Sequence, residues 1–218
     1  MVDVKSLLKK FSFQWSWTVF IFPLCVGLFG IKYYGLLLSL CYCIVFLGSL
    51  FLHELGRSLV FVARNKSVSV FFSGLGARWK KGGQLFSVLE RLGACFCGWA
   101  VSLVVFLVAF LFSCITDSFS KILFELFRLI AEVNLLILII NLFPAKPMDM
   151  GYLVDTLCYA CLQDLGLKLA FCISFLSYFV LIFFLFFIGK GVLGAVFLIN
   201  LFDDFRFSIF SKKKELYY

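Results

Sequence analysis

The stretch Phe46-Leu47-Gly48-Ser49-Leu50-Phe51-Leu52-His53-Glu54-Leu55-Gly56-Arg57 decides how this chain is read. An apolar run without charge, residues 33–52, ends on a His-Glu pair, and an arginine stands at the fifth position of the motif that the pair begins. A histidine there would set two imidazoles one helical turn apart with a carboxylate between them, an arrangement that holds zinc and supplies a general base. Arg57 cannot ligate, because a guanidinium has no free lone pair and stays protonated. His53 is the single histidine of the chain, so no other imidazole can substitute.

The apolar run is one of several. Of 218 residues, 63% are hydrophobic and 15% charged, where a soluble domain carries about 25% charged residues. Residues 11–31, 33–52, 92–116 and 169–189 contain no Asp, Glu, Lys or Arg. Each approaches or exceeds the roughly 20 residues that cross about 30 Å of hydrocarbon. Two further segments are less clean: 122–142 carries Glu125, Arg128 and Glu132, and 191–202 is short and closes on Asp203 and Asp204. Counting both makes six spans; rejecting them makes four. The expected fold is an all-α polytopic membrane protein of about six transmembrane helices, one integral membrane domain over 1–218 with C-terminal spans in about 169–205. Lys5, Lys9 and Lys10 precede a first apolar run too long for a signal peptide and without an Ala-x-Ala-like cleavage site, so it reads as an uncleaved helix.

The net charge of +8 carries orientation. Lys and Arg gather before the first span, in 64–91 and at 212–214. Six spans with both termini cytoplasmic put all three clusters inside, as the positive-inside rule asks. Because these clusters flank apolar spans, the expected partner is the lipid bilayer and not nucleic acid. Eight of the nine cysteines lie in or beside apolar runs, where a free thiol behaves as a small hydrophobe. Cys158 and Cys161 form one Cys-x-x-Cys pair, which without a second pair is weak evidence for metal or redox chemistry.

Two segments break the helical pattern. Residues 67–72 (Ser-Val-Ser-Val-Phe-Phe) alternate polar and apolar at first, and Gly74, Gly76, Gly82 and Gly83 punctuate the basic stretch that follows. That pattern predicts a small β-hairpin over about 67–88 at the cytoplasmic membrane face; the alternative is an irregular basic loop held to anionic headgroups. The second break is Asn141-Leu142-Phe143-Pro144-Ala145-Lys146-Pro147-Met148-Asp149-Met150-Gly151. Two prolines three apart cannot continue a regular helix. Unwound backbone at membrane depth persists only where protein buries it or a polar cavity receives it, and an ionisable residue there marks a functional site by default. The alternative is a span exit with Lys146 and Asp149 solvated.

In order and spacing, the His-Glu pair, the basic hairpin, Gly98-Trp99-Ala100-Val101-Ser102 and the Asn141–Gly151 segment together resemble the site-2 protease family of intramembrane zinc metalloproteases. The likeness covers a core of about 35–155. It implies zinc held by His53 and Asp149, Glu54 as the general base that activates the bound water, and Gly98 to Ser102 in the place of the family's Gly-Pro-x-Ala-Asn helix start. Asn141, Pro144, Val68 and Val70 become candidates for substrate contact, with the hairpin edge pairing with an unwound client strand.

Three departures separate this chain from that pattern. Met150 follows the aspartate where the family has glycine, Trp99 and Ser102 replace Pro and Asn, and Arg57 replaces the second histidine ligand. The last makes the implied zinc doubtful. Arg57 either bridges Glu54 or Asp149 in place of the metal, or snorkels to the interface; a cysteine (Cys95, Cys97 or Cys158) is the remaining route to a third ligand. The expectation is a membrane-bound homologue, impaired or inactive in hydrolysis, that binds membrane-anchored protein clients. An active zinc endopeptidase is the alternative, and a small transporter or channel the third reading. The resemblance points to the bacterial cytoplasmic membrane.

Overall fold

The computed structural model describes residues 10–73, 76–81, 86–146, 148–187 and 198. The first element among the described residues is a strand, β1 (Phe11–Trp15), in place of the expected first helix. Phe11, Phe13 and Trp15 alternate with Ser12 and Gln14, a period of two that suits a pleated strand. Its aromatic side finds partners: the Trp15 and Phe72 rings stack at 4.2 Å, and the Phe13 ring lies 5.1 Å from that of Phe51. A short 3-10 turn, Trp17–Phe20, leads into α1 (Ile21–Ala63).

Helix α1 folds back on itself at Gly35, whose φ of 80° and ψ of 167° lie in a region that side chains exclude. Across the fold-back, the Cys43 thiol donates to the Pro23 carbonyl at 3.1 Å. After α1 come β2 (Val68–Ser73) and β3 (Gly76–Lys81), an antiparallel pair, with β1 parallel to β2 on its other side. The sheet therefore has three strands in the order β1-β2-β3, one more than the expected hairpin. Val68, Val70 and Phe72 point inward and are buried, joining Phe46, Leu50 and Phe61 of α1 in one core. The hairpin strands end at Lys81; Val88, expected at its far end, already begins the next helix.

That helix, α2 (Val88–Thr116), starts with a capping box: Ser87 Oγ accepts from the Glu90 amide, and the Glu90 carboxylate accepts from the Ser87 amide. Gly98 to Ser102 fall inside α2, not at a helix start. Next come α3 (Lys121–Asn141) and α4 (Asp149–Phe187), the latter broken at Gln163 (φ 51°, ψ −127°). Helix α2 packs along α1 and α3 and reaches α4. A buried polar contact ties α3 to α1, with Asn134 Nδ2 donating to Ser49 Oγ at 2.9 Å.

Among the described residues, three helices are long and apolar enough to cross a membrane: Gly35–Ala63, Val88–Thr116 and Asp149–Phe187. Their outward surface is apolar, as at Leu103, Val104, Leu107, Phe110 and Leu111 of α2, which suits hydrocarbon. The six-span count is not reached among the described residues. The 11–31 run begins as a strand, α3 keeps Glu125, Arg128 and Glu132 on its first turns, and 191–202 lies, Leu198 apart, outside the described residues.

Candidate functional site

His53, Glu54 and Arg57 occupy one turn of α1, deep in the protein. Their spacing puts His53 and Arg57 on the same face. Helix α2 crosses that face at Gly98, where an added Cβ would stand 2.6 Å from Arg57 Cγ and 2.9 Å from His53 Cε1. Only glycine allows the approach. From the other side comes Asp149, the first residue of α4, whose amide donates to Asn141 Oδ1 at 3.1 Å. The four side chains converge with relative exposures of 1% (His53), 1% (Glu54), 0% (Arg57) and 0% (Asp149).

Arg57 lies between the two carboxylates. Its Nη1 donates to Glu54 Oε1 at 2.5 Å, and its Nε is 2.9 Å from Asp149 Oδ1. His53 Nε2 lies 3.1 Å from the other Asp149 oxygen, while Nδ1 meets Ser102 Oγ at 2.9 Å. The contacts to Asp149 are close in distance but not aligned as hydrogen bonds; the one from the Arg57 guanidinium is an ion pair. One guanidinium against two carboxylates is a favourable arrangement in a dry interior. Removing Arg57 would leave two buried carboxylates without a counter-charge, which burial makes expensive.

Two aromatic residues complete the surroundings of Arg57. The guanidinium carbon sits 4.0 Å from the centroid of Trp79 and 5.1 Å from that of Tyr152. The two rings stack on each other at 5.3 Å, and Tyr152 Oη donates to the Ala77 carbonyl at 3.4 Å. Neither residue stands out in the sequence reading. The structure brings them in: Trp79 lies opposite Val70 in the β-register, and Tyr152 falls three residues after Asp149 on one helix face.

The other candidates are placed as follows. Asn141 spends its side chain locally, accepting from Asp149 and donating to the Ile137 carbonyl at 2.9 Å, and so holds the start of α4. Pro144 lies half-buried in the turn between α3 and α4. Val68 and Val70 belong to the central strand, paired on both sides, and their side chains are in the core. A strand added to this sheet would pair with an edge, β1 or β3, and would not meet those two side chains. Arg57 is buried and does not reach an interface. Of the three cysteines considered as ligands, Cys95 approaches the site, donating to the Asp149 carbonyl at 3.6 Å, whereas Cys97 is exposed.

These residues do not fit a catalytic zinc, which needs three protein ligands and an open position. His53 Nε2 and the Asp149 carboxylate could supply two. The position of the third belongs to a permanent cation already in contact with the carboxylate ligand. A dication about 4 Å from a guanidinium, at an effective dielectric near 20, meets repulsion on the order of 8 kcal/mol. Among the described residues, no group of three His, Cys, Asp or Glu side chains is placed to hold a metal ion.

No protein-family model and no curated protein matches this chain. Among solved structures, it is similar to the site-2 protease from Methanocaldococcus jannaschii, with a TM-score of 0.65 and 18% identity over 93% of this chain and 93% of that one. At this identity the likeness speaks for the backbone and not for the chemistry. Over nearly its whole length, then, the chain has the fold of a site-2 protease, built around a buried arginine.

Proposed function

We propose that this chain is a site-2-protease-like membrane protein, impaired or inactive in peptide hydrolysis, that acts by binding membrane-anchored protein clients. The observation that carries this reading is Arg57, buried and in contact with both Glu54 and Asp149. In the ancestral role that the resemblance implies, Glu54 would activate a metal-bound water and Asp149 would hold the metal. With a guanidinium on both, neither carboxylate is free for that work. The β-sheet keeps open edges among the described residues, and β3, next to the site through Trp79, is the edge on which an extended client segment would add a strand. A bacterial membrane with both termini on its cytoplasmic side belongs to this reading; the basic clusters before the first apolar run and at 212–214 support it, and it requires an even number of spans.

The test is the metal content of the purified protein beside a His53→Ala control, together with cleavage and co-purification of single-span polypeptides. Zinc far below stoichiometric, with client association and no cleavage, is the expected result. Near-stoichiometric zinc that is lost in His53→Ala, and cleavage that is lost in Glu54→Gln, would instead establish the active endopeptidase with a third ligand such as Cys95.

A further inference from the structure

The cluster around Arg57 has a chemistry of its own beyond the loss of a metal. A zinc site needs lone pairs in a tetrahedron and gains nothing from a flat aromatic wall. A guanidinium is favoured by carboxylates close to its nitrogens and by π-faces above or below it. Here Glu54 Oε1 and Asp149 Oδ1 contact two different nitrogens of Arg57, and Trp79 and Tyr152 cover the guanidinium carbon at 4.0 and 5.1 Å. Those four partners come from three elements, α1, β3 and α4. The geometry points to a guanidinium receptor: we infer that the pocket recognises a planar organic cation, in the native chain its own Arg57, and selects it over both a metal ion and an ammonium.

This inference rests on the reading that no metal occupies the site, and it goes further in naming what the walls select. It makes Trp79 and Tyr152 positioning residues for the cation. It also explains why strand β3 is tied to the helices at that point. Trp79 faces the same side as its cross-strand partner Val70, and Ala77, two residues away, accepts from Tyr152. The guanidinium thus fixes an edge strand of the sheet against α1 and α4.

The experiment is chemical rescue. In full-length Arg57→Ala, purified in detergent, the side chain is gone and its anionic, aromatic-walled space remains. Thermal unfolding is followed in millimolar methylguanidinium, methylammonium or zinc at matched ionic strength. The expected result is a saturable rise in midpoint with methylguanidinium alone. At ten times its dissociation constant the ligand raises the folded-to-unfolded ratio about elevenfold. Adding Trp79→Leu is expected to weaken that binding roughly 2- to 30-fold. Equal rescue by methylammonium would overturn the inference, since only charge would then be needed, and so would preferential rescue by zinc. A zinc-free wild-type protein would keep the proposed function standing in either case.

Should Arg57→Ala fail to fold in all three salts, a cycle of Trp79→Leu and Arg57→Lys in the otherwise native chain decides. Coupling between the two of at least about fivefold in the unfolding equilibrium supports a guanidinium-selective wall. Additive effects would overturn it.

Discussion

Replacing Arg57 with methionine tests the electrostatic core of this account. Methionine keeps an unbranched apolar chain against Gly98 and Trp79 but removes the cation. Glu54 and Asp149, 1% and 0% exposed, then face each other without a counter-charge. Breaking a buried ion pair by removing one partner costs about 3–5 kcal/mol, because the remaining charge stays desolvated. That corresponds to a roughly 150- to 4,500-fold fall in the folding equilibrium. For a chain of this size the expected loss in thermal midpoint is roughly 6–20 °C, measured by unfolding in detergent. A matched control is Arg128→Met, since Arg128 is 57% exposed and pairs with Glu132 at 2.8 Å in an i,i+4 contact. That change is expected to cost under about 0.5 kcal/mol. Adding Glu54→Gln and Asp149→Asn to Arg57→Met removes the stranded charges and is expected to restore most of the loss. The reasoning fails if Arg57→Met is no worse than the Arg128 control, or if the triple variant is no better than the single one.

Further outcomes follow from the same contacts. Arg57→His returns an imidazole to the face that holds His53 and removes the opposing cation, so it is expected to take up zinc and to lose midpoint on chelation, whereas the parent chain is indifferent to chelator; metal analysis with melting in EDTA decides. Gly98→Ala pushes a methyl toward Arg57 Cγ at 2.6 Å and is expected to cost about 1–3 kcal/mol, less in an Arg57→Ala background where that atom is absent; equal losses in both backgrounds would deny the contact. Gly35→Ala places a side chain at φ 80°, ψ 167° with free space around it, so a loss of about 1–3 kcal/mol in detergent unfolding reports backbone strain alone.

Much of the site was legible before any coordinates. His53, Glu54, Arg57 and Asp149 could be singled out because charges are rare in this chain and stand out at the ends of apolar runs. The bridge from Arg57 to the carboxylates could be framed as an alternative, since charge balance demands a partner for each buried ion. Trp79 and Tyr152 could not be singled out among so many aromatics, because nothing local distinguishes a ring over a cation from a ring in a core. The first span was misread for a related reason. Freedom from charge over 11–31 says that the segment avoids water, but a strand and a helix can both be apolar, and Phe11, Phe13 and Trp15 take their strand geometry from Val68–Phe72, more than fifty residues away.

Composition and spacing by themselves determined that this is a chain for a membrane and that its histidine motif has an arginine where a second ligand would stand, and they narrowed the segment between the second and third apolar runs to a hairpin or a basic loop. These follow from local properties: charge density, period-two alternation and the chemistry of single side chains. Only the tertiary structure decided that β1 joins the hairpin, that Gly98 lets α2 close over the motif, and that Arg57 meets Glu54, Asp149, Trp79 and Tyr152 at once. Those contacts join residues far apart in sequence, and their energy comes from dehydrating charges together, a quantity that exists only once the elements have packed.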